Sequence, residues 1–267
     1  MSNEIASVVY FIEAVKDAIS AWHPRTSPWF RGEPDVEITP LLPSLYRPTS
    51  DGGMLIENRL VQSFRRMGPA FSHYSTPDKH AIDEWLFLMQ HLRVPTRLLD
   101  WTEGALIGLY FALDYEKPVV WVLDPDGLNR LSTNADFSPG AYPLTWFRPT
   151  DGTVNIGHEN IRGAWEKDEK GVDLPVAIKP TYIHPRMSAQ KSCFTVHGKK
   201  KRPLPELVPD SILVKMVIDP RESGHIRREL AILGVTHTTV FPEAEYLARE
   251  LKETAISEAI SKSDQGA

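Results

Sequence analysis

Apolar side chains recur at three- and four-residue steps near the start of the chain. Ile5, Val8, Ile12, Val15 and Ile19 form one stripe within residues 5–22, and this spacing is typical of an amphipathic helix. The same kind of pattern predicts helices at residues 54–68, 78–92, 220–233 and 244–261. A segment that is apolar nearly all round predicts a buried helix over residues 104–115.

A continuous apolar run at residues 119–123, bounded by Pro118 and Asp124-Pro125, predicts a central strand. Further strands are predicted at residues 28–32, 96–100, 176–178, 194–196, 213–218 and 238–241. Residues 124–174 are rich in Gly, Pro, Asn and Asp, so we expect long loops there with one short helix.

The order of these elements predicts the fold class. Helices dominate the first half and strands the second, without βαβ alternation, which favours an α+β fold with a single mixed or antiparallel sheet decorated by helices. We see no internal repeat and no linker. The expected division is an N-terminal helix at residues 1–24, one α+β domain at residues 25–261 and a flexible tail at residues 262–267.

Composition excludes several classes of protein. The 267 residues are 42% hydrophobic and 24% charged, with a net charge of -5, which excludes wholesale disorder and a uniformly basic nucleic-acid coat. The single cysteine, Cys193, excludes an intrachain disulfide and a thiolate zinc site, and we expect no metal. The start of the chain does not resemble a secretory signal, and no apolar run is long enough to span a membrane, so we expect a cytoplasmic protein without membrane contact.

Two segments concentrate polar groups among apolar ones. In Trp29-Phe30-Arg31-Gly32-Glu33-Pro34, two aromatic residues can hold the Arg31 guanidinium towards a phosphate or carboxylate, and Gly32 lets a ligand approach the backbone. The alternative is an ion pair with Glu33 or Asp35. Residues 91–103 hold His91, Arg97, Asp100, Trp101 and Thr102, which either bind a ligand or satisfy each other as an Arg97-Asp100 pair with Thr102 as a helix N-cap.

A third segment, residues 174–205, contains no Asp or Glu. Its positive field suits the phosphates of a nucleotide or nucleic acid, although a solvated basic loop is the alternative. Arg186 and Gln190 lie four residues apart and share a face if the segment is helical. Cys193 begins an apolar strand, a setting typical of an inert thiol.

A fourth candidate is the pair of carboxylates in Pro242-Glu243-Ala244-Glu245. They either complement the start of a helix or, at the end of a strand, orient a sugar hydroxyl and stabilise a developing cation. Motifs for Rossmann cofactors, P-loops, zincins and α/β-hydrolases are absent from the sequence.

Together these segments resemble the FRG domain, which is named for its Phe-Arg-Gly tripeptide. The resemblance rests on Trp-Phe-Arg-Gly at residues 29–32, on His91, on Pro-Thr-Arg-Leu-Leu-Asp-Trp-Thr at residues 95–102, and on Arg186, Gln190 and Phe194 further along the chain. It covers residues 28–200 and extends towards 245. The chain departs from the family pattern at Leu92-Arg93, where Tyr-Gly is usual, and at Ser192, where glycine is usual, so its substrate preference is expected to differ from that of relatives.

The order of three of these elements also resembles ADP-ribosyltransferases of the Arg-Ser-Glu type. The resemblance implies that Arg31 holds an NAD phosphate, that Thr102 shapes the nicotinamide-ribose pocket, and that Glu243 or Glu245 stabilises the oxocarbenium-like transition state. The residues assigned to catalysis are Glu243, Thr102 and His91. Those assigned to binding NAD are Arg31, Gly32, Arg97, Asp100, Trp101, Arg186 and Gln190.

Three functions are therefore compared. The first is an FRG-domain enzyme that binds a nucleotide-like anion, NAD above all, and transfers ADP-ribose to a macromolecular acceptor or hydrolyses it. The second is a nuclease or nucleic-acid binder that uses residues 174–205, with His91, His184 and His197 as acid and base. The third is a non-enzymatic interaction module in a toxin-antitoxin or phage-defence setting, whose motif residues form a polar core network.

Overall fold

The computed structural model of the chain describes residues 4–35, 40–48, 56–70, 77, 82–133, 172–180, 182, 184–248, 250–252 and 255–256. The expectations for most of the loop region at residues 134–171 and for the tail at residues 262–267 lie outside the described residues.

The helices are α1 (Val8–Ala18), α2 (Glu57–Met67), α3 (Ile82–His91), α4 (Ala105–Ala112), α5 (Pro125–Thr133), α6 (Pro185–Ala189), α7 (Ser223–Ile232) and α8 (His237–Val240). Of these, α1, α2, α3, α4 and α7 lie where the sequence pattern predicts helices. Ser7 caps α1 by accepting a hydrogen bond from the Tyr10 amide at 3.2 Å. The carboxylate of Glu229 accepts from the Val8 amide at 2.8 Å, which ties α1 to α7.

One six-stranded antiparallel sheet forms the centre of the fold, as predicted. Its strands are β1 (Trp29–Pro34), β2 (Leu98–Thr102), β3 (Pro118–Leu123), β4 (Val176–Ile178), β5 (Ser192–Val196) and β6 (Leu213–Val217), in the spatial order β4-β5-β2-β1-β3-β6. β1 therefore lies between β2 and β3, so the Phe-Arg-Gly tripeptide is placed in the middle of the sheet rather than at its edge.

Apolar side chains cover both faces of the sheet. On one face, α1, α4 and α7 pack against Phe30, Val120 and Val122. On the other, Trp29 and Trp101 pack with residues from α5 and from the segment around residue 204. A third cluster joins α2 and α3 to β4 and β5. Because the motif strands β1 and β2 are buried in this way, only selected positions on them reach a cavity.

Two predictions of local structure are wrong. Residues 237–240 form the helix α8 rather than part of a strand at residues 238–241, because a capping box between Thr236 and Thr239 and a 2.6 Å hydrogen bond between Tyr110 Oη and His237 Nδ1 hold this turn. The predicted N-cap role of Thr102 is also wrong, because Thr102 is the last residue of β2 and Gly104 is the N-cap of α4.

Within the described residues, no helix has the length and apolar character needed to cross a membrane.

Candidate functional site

A cavity of about 380 Å³ opens beside the centre of the sheet. Residues from β1, β2, α4, α6 and the segment after α8 surround it, which brings three of the four motif segments to one place. The lining residues are Phe30, Arg31, Gly32, Arg93, Asp100, Trp101, Thr102, Phe111, Tyr115, Arg186, Gln190, Ser192 and Phe241. The mixture of guanidinium groups, one carboxylate and several aromatic rings is suited to an anionic ligand with a ring system.

Arg31 reaches the cavity from β1 while holding two protein partners. Its Nε donates to Glu33 Oε1 at 2.8 Å, and one terminal nitrogen donates to the Asp100 carbonyl oxygen at 2.6 Å. Glu33 is itself buried, and its other oxygen accepts from the Leu41 amide. Burial tends to lower the pKa of Arg31, but the charges of Glu33 and Asp100 raise it overall. The guanidinium is thus rigidly oriented, with its second terminal nitrogen making no hydrogen bond to a described residue.

Asp100 supplies the carboxylate of this cavity. Asp100 lines the cavity, and 55% of its side chain is exposed. Gln90 donates to Oδ2 at 2.6 Å, and Arg31 lies 3.9 Å from the same oxygen. The surrounding protein raises the pKa of Asp100, against the opposing effects of Arg31 and the Gln90 hydrogen bond. The predicted Arg97-Asp100 pair is wrong, and Asp100 faces Arg31 instead.

Arg186 approaches from α6 and is held in place by residues that follow α8. Its Nε donates to Glu243 Oε1 at 2.6 Å, and its guanidinium lies over the rings of Phe241 and Tyr246 at 5.3 and 5.7 Å. Glu243, assigned to catalysis from the sequence, follows a helix rather than a strand and is not among the lining residues. Glu245 is exposed. The geometry thus makes Glu243 a partner of Arg186.

A smaller cavity of about 180 Å³ adjoins the first. It contains His91, and the two cavities share Arg93, Asp100, Arg186, Gln190 and Ser192. The His91 ring packs against that of His184 at 4.2 Å between centroids. Burial, reinforced by His184 and Arg186, lowers the pKa of His91 to about 4, so this side chain is neutral at pH 7.

Other predicted site residues have structural contacts that limit their availability. Thr102 Oγ1 donates to the Gln190 carbonyl at 2.7 Å and accepts from the Gly104 amide at 2.9 Å. Trp101 borders the cavity, but its indole is in the core and donates to Thr195. A Cβ on Gly32 would lie 2.2 Å from the Ala112 nitrogen. The Gly32 position therefore accommodates the close approach of α4, where the sequence suggested the approach of a ligand.

Arg97 does not line either cavity. Its side chain is nearly buried and forms a two-point contact with the Glu57 carboxylate, in which Nε lies 2.7 Å from Oε1. This contact crosses 40 residues of sequence. The structure thus separates Arg97 from Arg31 and Arg186, with which the sequence analysis grouped it.

The basic character of residues 174–205 is partly neutralised. Lys179 pairs with Glu103, Arg186 with Glu243 and Arg202 with Glu206. His197 is fully buried beside Arg97, and burial lowers its pKa to about 4.

Within the described residues there is no group of three His, Cys, Asp or Glu side chains arranged to hold a metal ion.

Four lining residues, Arg93, Phe111, Tyr115 and Phe241, are not among the site residues predicted from the sequence. Arg93 was noted only as a departure from the family pattern, and that departure was the available signal. The aromatic residues come from α4, from the turn after it and from the segment after α8, so nothing local in the sequence marks them as neighbours.

Comparison with known proteins identifies the matched part of the chain. The model of the FRG domain family matches residues 26–119, which contain β1, β2, α4 and the Arg31 and Asp100 side of the cavity. Arg186, Gln190 and Phe194 lie beyond the matched residues. No curated protein and no solved structure matches the chain. The chain carries an FRG domain, and the tripeptide that names this family lies on the central strand β1 beside the cavity.

Proposed function

We propose that the cavity binds a nucleotide-like anion, with NAD as the best candidate, and that the protein transfers or hydrolyses its ADP-ribose moiety. The observation that carries this proposal is the convergence of Arg31, Arg93, Arg186 and Asp100 on one cavity from segments far apart in the sequence. A cavity of this size lies within the usual range of ligand pockets, about 300–1,000 Å³.

Guanidinium groups bind phosphate through paired N–H donors. Arg31 and Arg186 each use Nε for a carboxylate, and terminal nitrogens remain for a ligand. Because Glu33 and Glu243 hold these two side chains in place, they lose little conformational freedom when a phosphate binds. Phe111 and Phe241, which contact each other edge to face, offer an apolar surface for a ring of the ligand.

Asp100 takes the role that the sequence analysis gave to Glu243. In the proposed reaction the bond between ribose C1′ and the nicotinamide nitrogen breaks, and its electron pair stays with nicotinamide. Positive charge then develops on the ribose, where the Asp100 carboxylate stabilises it. Water or an acceptor nucleophile adds to C1′ and releases its proton to solvent. Oδ2 of Asp100 accepts the Gln90 hydrogen bond, and 55% of the side chain is exposed, so the carboxylate is accessible to the ribose.

A second candidate function is a non-enzymatic interaction module. The motif side chains bond extensively to each other: Gln90 bridges Thr96 and Asp100, and Thr102 binds the Gln190 carbonyl. Such a network fixes a fold whether or not the protein turns over a substrate. This candidate predicts that Asp100→Asn retains the fold and the interaction with a partner, since an amide has the same size as the carboxylate.

The test is release of nicotinamide from NAD, measured by chromatography, with Asp100→Asn as the informative variant. We expect turnover by the wild type and a loss of about 100-fold or more in the variant, because one electrostatic contact to the transition state is removed. Asp114→Asn is the matched control, since Asp114 pairs with Arg227 at the surface and lies outside the cavity. No binding and no turnover at millimolar NAD would overturn the proposal.

A further inference from the structure

The C-terminus of α3 ends in a hydrogen-bond pattern that calls for glycine. The Arg93 amide donates to the Gln90 carbonyl at 3.0 Å, and the Val94 amide donates to the Met89 carbonyl at 2.9 Å. These two bonds define a Schellman motif, with Arg93 at the position that adopts left-handed geometry. Arg93 has a φ of 61°, a value that glycine adopts freely and that a side chain makes unfavourable.

The side chain of Arg93 does not offset this unfavourable backbone conformation by a polar contact with a described residue. Among the described residues, its side chain has no ion pair or hydrogen bond, and it is exposed. A non-glycine residue kept in such a conformation is a reason to look for a functional role.

The position of Arg93 beside both cavities indicates a role in ligand binding. It lines both cavities, together with Asp100, Arg186, Gln190 and Ser192, so it stands at their junction. Arg31 and Arg186 are each paired with a carboxylate, whereas the charge of Arg93 is not paired with any described residue. Asp100, the acid at the junction, is held by Gln90 and faces Arg31.

We infer that Arg93 is a specificity-determining residue that binds the diphosphate of a ligand whose two halves occupy the two cavities. The inference rests on the proposed function and narrows its substrate class to nucleotides in which a diphosphate joins two bulky groups. Phe111 and Phe241 offer apolar contacts in the larger cavity. Phe87 and Phe194, stacked at 5.2 Å, offer them in the smaller one.

The experiment compares Arg93→Gly and Arg93→Lys with the wild type. Without ligand, Arg93→Gly is expected to raise the Tm by about 2 °C, because glycine relieves the backbone strain. Inorganic pyrophosphate and ADP-ribose should each raise the Tm of the wild type, and the affinity for both should fall about tenfold or more in Arg93→Gly. Arg93→Lys, which retains the positive charge, should keep part of that affinity.

Lys191→Gly is the matched control. Lys191 is also an exposed cation with a left-handed backbone, at φ 46°, but it lines neither cavity. Its substitution should raise the Tm by a similar amount and leave the binding of pyrophosphate and ADP-ribose unchanged.

The outcomes test the role of Arg93 separately from the proposed cleavage of NAD. Pyrophosphate binding that depends on Arg93 in a protein that does not cleave NAD would support the role of Arg93 and reject the proposed reaction. Equal affinity of Arg93→Gly and wild type for pyrophosphate, or no binding of pyrophosphate by the wild type, would overturn the inference. A lower Tm for unliganded Arg93→Gly would also overturn it, since the side chain would then stabilise the fold.

Discussion

Gly32 on β1 and Gly108 on α4 meet backbone to backbone. A Cβ on Gly32 would lie 2.5 Å from the Gly108 carbonyl oxygen, and a Cβ on Gly108 would lie 2.6 Å from Cβ of Phe30. Both distances are shorter than the non-bonded contacts that a real Cβ atom makes, so the two glycines permit α4 to cross β1 at this depth. The crossing places Phe111, on α4, at the same cavity as Arg31.

Gly32→Ala should therefore destabilise the protein. The added methyl group meets backbone atoms of α4 that cannot move independently, and overpacking of this kind costs about 1–3 kcal/mol. Urea denaturation measures the loss. Gly224→Ala is the control, because a Cβ there meets nothing within 4 Å and alanine favours the helix. A Gly32→Ala protein as stable as the wild type would show that α4 does not pack as described.

Arg97→Ala should reduce stability and leave ligand binding intact. Removal of the arginine leaves the Glu57 carboxylate in a poorly solvated site, and breaking a buried pair of this kind costs about 3 kcal/mol. The free energy of unfolding and the affinity for ADP-ribose are measured on the same variant. Arg202→Ala, which removes an exposed pair with Glu206, should cost less than about 1 kcal/mol. Loss of binding without loss of stability in Arg97→Ala would restore the ligand-binding role predicted from the sequence.

Local pattern was sufficient to predict the sheet and most helices. The apolar run at residues 119–123 became β3, and residues 176–178 became β4, because buried strands require continuous apolar side chains. The β-branched residues of 238–241 misled the prediction, since the helix α8 depends on a capping box and on Tyr110, a contact 127 residues away. Tertiary contacts of that kind override the local β propensity of a segment.

The site was predictable in its residue types and only partly in its pairings. Arg31 and Asp100 were singled out by their motifs and do meet. The pairs Arg97-Glu57 and Arg186-Glu243 span 40 and 57 residues, and no periodicity encodes them. The strained backbone of Arg93 could not be identified without coordinates, although the sequence had marked the arginine as an expected departure from the family pattern.

Stability should fall as the pH decreases from about 6.5 to about 4. His197 is buried and its pKa in the folded protein is about 4, whereas an unfolded histidine has a pKa of about 6.5. The unfolded chain therefore binds the proton first, and about 3 kcal/mol of stability is lost across this range. His197→Gln should have a shallower dependence of unfolding free energy on pH, with a residual slope from His91. If the unfolding free energy of His197→Gln depended on pH as steeply as that of the wild type, His197 would not be the source of the pH dependence.

Cys193 should react with a thiol reagent only after unfolding. The side chain is fully buried within the core, and burial raises the pKa of the thiol well above its ordinary value, which removes the reactive thiolate. A colorimetric thiol assay is expected to show negligible modification of the native protein and one equivalent in denaturant. Rapid labelling of the native protein at neutral pH would show that β5 opens or that the thiol is accessible.

The crystal structure of the protein soaked with ADP-ribose tests the central claim most directly. That claim is that Arg31, Arg93, Arg186 and Asp100 enclose one ligand site. We expect density for the ligand across the two cavities, with its diphosphate beside Arg93 and Arg186 and a ribose beside Asp100. Empty cavities at millimolar ADP-ribose, or density elsewhere on the surface with the arginines unchanged, would contradict the account.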